Sequence, residues 1–525
     1  MKKNLVLFSI VFLSISIGYL LGSENEILMS AEKDSWSINR LQRLLSYIEN
    51  DYVEVINTDS LVGEVIEDLV NRLDPHSVYI PARQRQSIAE NMQGNFYGIG
   101  VSFFMYKDSV TIIRVLEGGP SEAAGLLAGD RILIADEDTL FQKKYSSEKI
   151  MKILKGKAGT LVDLTIYRKS EDKTFQLEMK RGKVSLPSVE SYYMIDQTVG
   201  YLKVNRFSQT TFEEFDLALE DLLSMGMENL ILDLRNNPGG YLIPAKQISN
   251  AFLGKDQTIV ITQSNMGEEE KSTAEGDGRF QEGGLIVLVN EQSASASEIV
   301  AGAIQDNDRG WIIGRRTFGK GLVQQQMPLG GGDAVRLTIA KYFTPTGRSI
   351  QKPYDGNREA YFEDLSNRYH RGEMADANKI PVIDSLAFKT PKGRTVYGGG
   401  GITPDFYISN TMNEEEEWNS FILNSNFMNN FVFDRLDQNR KEFNAIEKED
   451  LLANQFEDLL PWRRLFLEYC TEKEVEIEAE EKQILKAVKT YLGLQLFGEN
   501  TFNRINNEED VFMEKAITIL DSLTD

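Results

Sequence analysis

The chain contains 525 residues and carries a formal net charge of -23. This length exceeds what one hydrophobic core usually organises and indicates roughly three or four domains. The strong negative charge, with no basic stretch among aromatic residues to offset it, opposes binding to nucleic acid. One cysteine, Cys470, and two distant histidines, His76 and His370, form no cluster with zinc spacing, so we expect neither a metal site nor a cofactor.

Residues 1–22 have the composition of an export segment. Lys2 and Lys3 precede a run from Leu5 to Gly22 that contains no charged residue. The run is longer than the usual core of a signal peptide and near the lower limit for a membrane-spanning helix, and no clear cleavage site follows it. We therefore expect a periplasmic or cell-envelope location, with a cleaved signal peptide and a membrane anchor both open.

Residues 34–92 show the apolar spacing of helices. One stripe lies in residues 41–48 and a second in residues 62–69. A turn that contains Asp74 then ends the second helix. His76, which follows a proline in this turn, is interpreted as a capping or packing residue and not as a base. The sequence thus predicts an N-terminal helical region.

Residues 93–185 change to a pattern of short alternating strands. They resemble a PDZ domain in three motifs, at residues 97–101, 119–126 and 129–133. In such domains a glycine-rich loop presents backbone N–H groups to the terminal carboxylate of a peptide, and the next strand pairs with the peptide. The resemblance implies that Gly98, Ile99 and Gly100 form this loop. The alternative is a glycine-bearing hairpin that binds no ligand.

Two strand–turn–helix units of similar design follow within residues 186–408. In the first, an apolar strand ends in a turn that contains Gly239 and Gly240, which let the backbone approach a neighbour closely. In the second, an apolar strand leads through a turn rich in alanine and serine to a helix for which Ser297 is the expected N-cap. Ser295 then lies at the N-terminal end of that helix, where unpaired N–H groups and the helix dipole favour a developing oxyanion.

Residues 409–525 combine acidic runs, at 414–417 and 472–481, with helical apolar spacing. They predict an acidic helical domain in which we identify no chemistry. Assembly into a homo-oligomer, substrate docking and plain packing are all open for this domain.

Ser295 and Lys320 carry the candidate chemistry. A hydroxyl is a poor nucleophile until a base takes its proton, and a chain that is poor in histidine but can place a lysine beside a serine points to serine–lysine acyl transfer. The lysine must then be neutral, yet a solvated lysine with a pKa near 10.4 is neutral in only about one molecule in 2,500 at pH 7. Burial near Phe318, Leu322 and Val323 is therefore expected to lower the pKa of Lys320.

Residues 34–405 closely resemble the carboxyl-terminal processing, or tail-specific, serine peptidases. The resemblance is carried by motifs in the same order at residues 73–77, 234–240, 293–298, 317–321, 342–350 and 401–405. It implies an α/β and α+β multidomain fold, with a crotonase-like serine protease core, an inserted PDZ domain, N-terminal helices and a C-terminal helical extension. The sequence departs from the family pattern at Gln292, where a glycine is common.

The resemblance also implies the role of each site residue. Ser295 would be the nucleophile, Lys320 the general base and Gln324 the residue that orients the lysine. The backbone N–H groups of Ala296 and Gly240 would donate to the oxyanion. A neutral amide suits the third position because a carboxylate there would raise the pKa of the lysine. An outward-facing strand residue is the alternative for the glutamine.

The function that these observations favour is an exported serine endopeptidase that recognises the C-termini of protein or peptide substrates through its PDZ domain. Two other classes stay open. One is a catalytically inactive PDZ scaffold that binds peptides and leaves them intact, and the other is a crotonase-like enzyme that acts on acyl thioesters. A phosphate-binding P-loop is rejected for residues 314–321, because position 321 is glycine and not serine or threonine.

Overall fold

The computed structural model describes residues 38–453 and 459–524. The export segment predicted at residues 1–22 lies outside these ranges. Within them, no helix is both long enough and apolar enough to cross a membrane. The described chain has a mixed α/β structure with two six-stranded sheets, one five-stranded sheet and two pairs of strands.

The N-terminal part contains α1 (residues 38–51), α2 (Thr58–Asn71), β1 (Val78–Ile80) and α3 (Ala82–Gln93). Asn57 caps α2 by accepting a hydrogen bond from the Ser60 N–H. The α3 helix ends at Gly94, whose φ of 75° is left-handed. The helical pattern did not predict β1, which pairs antiparallel with a strand far along the chain. This pairing joins the N-terminal helices to the second half of the molecule.

The second region is rich in antiparallel strands. Its elements are β2 (Asn95–Gly98), β3 (Val101–Tyr106), β4 (Ser109–Val115), α4 (Pro120–Ala123), β5 (Asp130–Ala135), β6 (Asp138–Thr139), α5 (Ser147–Leu154), β7 (Leu161–Arg168), β8 (Lys173–Lys180) and β9 (Gly182–Ser185). The sheet order is β3-β4-β5-β7-β8, with β6 on β5, and β2 pairs separately with β9. Alternate residues such as Val110 and Ile112 point into one hydrophobic core.

A largely parallel sheet forms the centre of the molecule. The elements of this region are β10 (Val189–Met194), β11 (Val199–Val204), α6 (Thr211–Ser224), β12 (Asn229–Asp233), α7 (Leu242–Phe252), β13 (Thr258–Ser264), β14 (Glu269–Thr273), β15 (Gly284–Val289), α8 (Ala296–Asp306) and β16 (Trp311–Gly314). The central sheet has the order β10-β11-β12-β15-β16 and ends with the later strand β21 (Phe406–Tyr407). Only β10 runs antiparallel to its neighbour. The centres of β12 and β15 are apolar because both strands are buried on two faces.

A second sheet is built on a long hairpin of β17 (Leu322–Gly330) and β18 (Asp333–Phe343). The first half of β18 pairs with β1 and its second half pairs with β13, which in turn pairs with β14. Short elements follow, namely α9 (Arg358–Phe362), α10 (Asp364–His370), β19 (Ala387–Lys389) and β20 (Thr395–Tyr397). The pairing of β18 with β1 places residues 334–336 of this hairpin beside residues 78–80 of the N-terminal region.

The C-terminal part is helical. Its helices are α11 (Glu414–Leu423), α12 (Asn426–Gln438), α13 (Arg440–Phe443), α14 (Lys448–Ala453), α15 (Leu460–Glu472), α16 (Glu481–Phe497), α17 (Glu499–Asn506) and α18 (Val511–Thr524). The central sheet shares one hydrophobic cluster with α18, and α6, α7 and α8 cover its other face. The ring of Phe433 on α12 stands 5.0 Å from the ring of Phe104 on β3. The C-terminal helices therefore contact both the central sheet and the strand-rich region.

Candidate active site

Two loops meet at the carboxyl edge of the central sheet. Because β12 and β15 are parallel neighbours, the loops that precede α7 and α8 lie at the same edge. Asn290 accepts a hydrogen bond from the Asn236 N–H at 2.9 Å and donates one to Asn236 Oδ1 at 2.7 Å. The Ala294 N–H adds a bond of 3.0 Å to the Asn237 carbonyl. The two strand–turn–helix units thus form one site.

Gly239 and Gly240 lie where no side chain fits. A Cβ on Gly239 would stand 2.8 Å from the Cβ of Ser295, and one on Gly240 would stand 2.1 Å from the carbonyl oxygen of Phe207. Their φ values of 96° and 149° also favour glycine. Within the described residues, the N–H groups of Gly240 and Ala296 donate to no acceptor. Two backbone donors are therefore free at this edge.

Ser295 occupies the N-cap of α8, which corrects the prediction that Ser297 is the cap. The φ of 56° and ψ of -112° at Ser295 lie outside the usual regions for L-residues. Ser297 lies inside the first turn, and its Oγ donates to the Asn237 carbonyl at 2.9 Å. The helix begins two residues earlier than predicted because Glu298 reaches back to accept the Ser295 N–H at 2.8 Å.

Glu298 is a site residue that sequence analysis missed. It is buried, and its carboxylate accepts four hydrogen bonds, from the N–H groups of Ser295, Gly319 and Lys320 and from the hydroxyl of Thr317. Burial raises the pKa of this carboxyl, against the opposing effect of the donors. The carboxylate thus joins the serine segment to the lysine segment. The available signal was the spacing of a capping box, Ser-x-x-Glu.

Lys320 is largely buried, in the loop whose backbone N–H groups donate to the Glu298 carboxylate. Its Nζ donates to Gln324 Oε1 at 2.7 Å, and within the described residues it forms no ion pair. Burial lowers the pKa of Lys320 to about 8, and the positive charge of Arg336 acts in the same direction. At pH 7 about one side chain in ten is then neutral, compared with about one in 2,500 for a solvated lysine. The expected lowering of this pKa is confirmed.

Gln324 is held by the backbone of the N-terminal region. Its Nε2 donates to the His76 carbonyl at 2.5 Å, so Oε1 faces Lys320. The His76 ring hydrogen-bonds with the Tyr361 hydroxyl at 2.7 Å and packs edge-on against that ring. Burial, together with the charge of Lys320, lowers the pKa of His76 to about 4. The imidazole is therefore neutral at pH 7 and has the packing role predicted for it.

A cavity of about 550 Å³ is lined by Gly240, Ser295, Ala296, Lys320 and Gln324. Among the described residues, no hydrogen bond joins Ser295 Oγ to Lys320 Nζ. The cavity wall also includes Arg85, Ile88 and Met92 on α3, Leu242 on α7 and Arg336 on β18, none of which was predicted from the sequence. These residues are far apart in the chain, so no local pattern marks them.

Tyr342 adds a second link between the segments that carry Ser295 and Lys320. Its buried hydroxyl lies 3.0 Å from the carbonyl oxygen of Ser295 and 2.5 Å from that of Lys320. Together with Glu298, it fixes the backbone of both candidate residues before any substrate binds.

The predicted peptide-binding loop lies between β2, which ends at Gly98, and β3. Gly100 has a φ of 81°, and the side chain of Ile99 is buried beneath the loop. The N–H groups of Ile99 and Gly100 donate to no acceptor in the part of the chain that the structure describes. The adjacent strand β3 is at the edge of its sheet, where an extended peptide can pair with it.

Known protein families match three parts of the chain. Peptidase family S41 matches residues 198–356, the PDZ domain matches residues 98–179, and a family of unknown function, DUF8443, matches residues 418–498. The carboxy-terminal-processing protease of Bartonella bacilliformis is 33% identical over 362 residues, which cover 67% of this chain and 80% of that protein. This chain belongs to the family of carboxy-terminal processing serine peptidases.

A second curated relative shows similar agreement. The carboxy-terminal processing protease CtpA of Bacillus subtilis is 31% identical over 392 residues, which cover 73% of this chain and 81% of that protein. Among solved structures, the photosystem II D1 C-terminal processing protease is 24% identical, with a TM-score of 0.38 and coverage of 72% of this chain and 88% of that one. The resemblance drawn from the motifs and the enzyme class that it implied are confirmed. The roles of individual residues stay predictions.

Proposed function

We propose that this chain is an exported serine endopeptidase that binds polypeptide C-termini at its PDZ domain and hydrolyses peptide bonds with Ser295 and Lys320. The cavity carries the proposal, because a serine, a lysine with a lowered pKa and two free backbone N–H groups line one space. Acyl transfer requires each of these parts.

The first step is attack of Ser295 Oγ on the carbonyl carbon of the substrate. Neutral Lys320 accepts the hydroxyl proton as the new bond forms. The absence of an Oγ–Nζ hydrogen bond among the described residues is compatible with this step, because catalytic hydrogen bonds are often long or poorly aligned in substrate-free enzymes. Gln324 keeps Nζ directed without adding a charge, because its own amide is held by the His76 carbonyl.

The second step depends on the free backbone donors. The N–H groups of Gly240 and Ala296 stabilise the negative charge on the carbonyl oxygen, and a donor of this kind contributes about 100- to 1,000-fold in rate. Lys320 then gives its proton to the leaving amine. Lys320 then takes a proton from a water molecule whose oxygen attacks the carbonyl carbon of the acyl-enzyme, and it returns that proton to Ser295 Oγ as the ester bond breaks.

The PDZ domain supplies the second substrate contact. The N–H groups of the loop at Gly98, Ile99 and Gly100 bind the terminal carboxylate, and β3 pairs with the tail as an added strand. In this proposal the central sheet is a crotonase-like core, the helices after residue 409 form an acidic extension, and the composition of residues 1–22 directs the protein to the periplasm or cell envelope.

Incubation of the full-length protein with an unfolded polypeptide tests the proposal. Ser295→Ala and Lys320→Ala should each abolish turnover while thermal unfolding stays close to wild type. Lys341→Ala, at an exposed position on β18, is the matched control and should stay active. Full turnover in either site variant rejects the mechanism. Peptide binding without hydrolysis by the wild type would favour the scaffold, and turnover of acyl-CoA in place of peptides would favour the thioester enzyme.

A further inference from the structure

The catalytic cavity is cationic in a strongly anionic protein. The charged side chains that line it are Arg85, Lys320 and Arg336, and no aspartate or glutamate is among its lining residues in the described chain. The whole chain has a formal net charge of -23. The surplus of positive charge is therefore local to the site, and it is available to an anionic group that enters the cavity.

Arg336 is the cationic residue without a partner. It lies on β18, where its backbone faces Val78 on β1 and Gln326 on β17. Its guanidinium is half-buried, and within residues 38–453 and 459–524 it has no hydrogen bond and no ion pair. By contrast Arg315, another partly exposed arginine, forms an ion pair with Glu291.

The other two cationic side chains of the cavity already have hydrogen-bond partners. Arg85 is exposed and donates to the Gly332 carbonyl at 3.3 Å. Lys320 donates to Gln324 and must be neutral to act as a base. The guanidinium of Arg336 has five N–H donors, and because no protein group in the described residues accepts from them, they are available to a ligand that enters the cavity. Arginine pairs best with a carboxylate, because two parallel N–H groups match its two oxygens.

We propose that Arg336 binds a carboxylate of the substrate inside the catalytic cavity and thereby sets which peptide bonds are cleaved. This inference rests on the proposed peptidase function and adds a specificity residue to it. Two parts of a substrate can supply the group: an aspartate or glutamate side chain near the scissile bond, or the terminal carboxylate of a short tail. Both present the same two oxygens to the guanidinium.

Matched fluorogenic peptides measure the preference in the full-length protein. One series carries glutamate at each of the positions on either side of the scissile bond, a second carries glutamine there, and a third has an amidated C-terminus. For one position we expect kcat/KM about tenfold or more higher with glutamate than with glutamine, since a hydrogen bond to a charged group is of this strength. Arg336→Gln should remove the difference, and Lys341→Gln on the exposed part of the same strand should keep it.

The amidated series identifies the source of the carboxylate. If amidation lowers kcat/KM in the wild type but not in Arg336→Gln, the terminal carboxylate is the ligand. If amidation lowers kcat/KM equally in both proteins, the terminal carboxylate binds the PDZ loop and not Arg336. The proposal is overturned if the Arg336→Gln variant retains every preference of the wild type, or if it only moves the pH profile by an equal amount for all peptides.

Peptide binding to the Ser295→Ala protein separates this inference from the proposed function. Calorimetry should give a lower Kd for the preferred acidic peptide than for its glutamine match, and Arg336→Gln in the Ser295→Ala background should equalise them. That result in a protein whose wild type hydrolyses no peptide would contradict the peptidase and support the carboxylate site. Hydrolysis with equal affinity and equal kcat/KM across the series would support the peptidase and contradict the role of Arg336.

Discussion

Two regions of the molecule bury cationic side chains, beside a neutral amide in one region and beside a carboxylate in the other. In the catalytic cavity, Lys320 Nζ donates to the neutral amide of Gln324 at 2.7 Å. At the contact between the PDZ domain and the C-terminal helices, Arg131 donates two hydrogen bonds to the carboxylate of Asp437 at 2.7 and 2.8 Å. Lys169 donates to the same carboxylate at 2.7 Å.

The partner decides what burial does to the charge. A neutral amide does not offset the loss of hydration, so burial lowers the pKa of Lys320 to about 8. Burial alone would raise the pKa of Asp437, but the hydrogen bonds and charges of Arg131 and Lys169 outweigh it and lower that pKa. The first arrangement leaves a lysine that can accept a proton. The second leaves fixed charges that join two parts of the protein.

Asp437→Asn should produce the largest effect at the domain contact. The Arg131 side chain, which is 8% exposed, would keep its charge without a carboxylate. Removal of one member of a buried pair costs about 3–5 kcal/mol. We therefore expect a lower midpoint of thermal unfolding, and faster proteolysis of the PDZ domain and of α12 because their contact is weakened. The double variant Arg131→Met with Asp437→Leu should recover most of the loss. A single variant as stable as wild type contradicts this account of the contact.

Gln324→Glu should give Lys320 a carboxylate partner, as Arg131 has in Asp437. A carboxylate beside Lys320 raises the pKa of the lysine by about 1–3 units, so kcat/KM at pH 7 should fall about tenfold to 1,000-fold and recover at higher pH. The measurement is kcat/KM as a function of pH. Gln325→Glu, at an exposed position on the same strand, should leave the profile in place. An unmoved profile in Gln324→Glu argues against Lys320 as the base.

The wild-type pH profile should show the lowered pKa directly. Protonated Lys320 predominates below its pKa of about 8 and cannot accept a proton. We therefore expect kcat/KM to rise about 50-fold from pH 6 to pH 8 and to level off above that range. His76 should add no step near pH 6.5, because its pKa is about 4. A midpoint near pH 6.5 would instead indicate a histidine base.

Lys169→Met should have the smallest effect. The side chain of Lys169 is 42% exposed, compared with 8% for Arg131. Ion pairs with an exposed member contribute about 0.2–1 kcal/mol, so thermal unfolding should shift much less than in Asp437→Asn. Equal shifts in the two variants would mean that burial does not set the strength of this contact.

The candidate pair, Ser295 and Lys320, could be selected from the sequence because its signals are local. Ser295 stands at a helix N-terminus and Lys320 in a glycine-flanked turn, and the family motifs around both occur in order. The N-cap was misplaced at Ser297 because either serine has a suitable side chain. Only the reach of Glu298 back to the Ser295 N–H distinguishes them.

The sequence by itself determined the family, the enzyme class, the glycine positions and the need for a lysine with a lowered pKa. Tertiary structure decided which groups surround that lysine. The His76 carbonyl orients Gln324 from 248 positions away, and Asp437 pairs with Arg131 across 306 positions. The unpaired state of Arg336 likewise follows from how three strands and α3 enclose the cavity. The burial and the charge partners of a residue depend on all the groups that surround it in the folded protein. Residues that come into contact only after folding therefore share no local sequence pattern that reveals the contact.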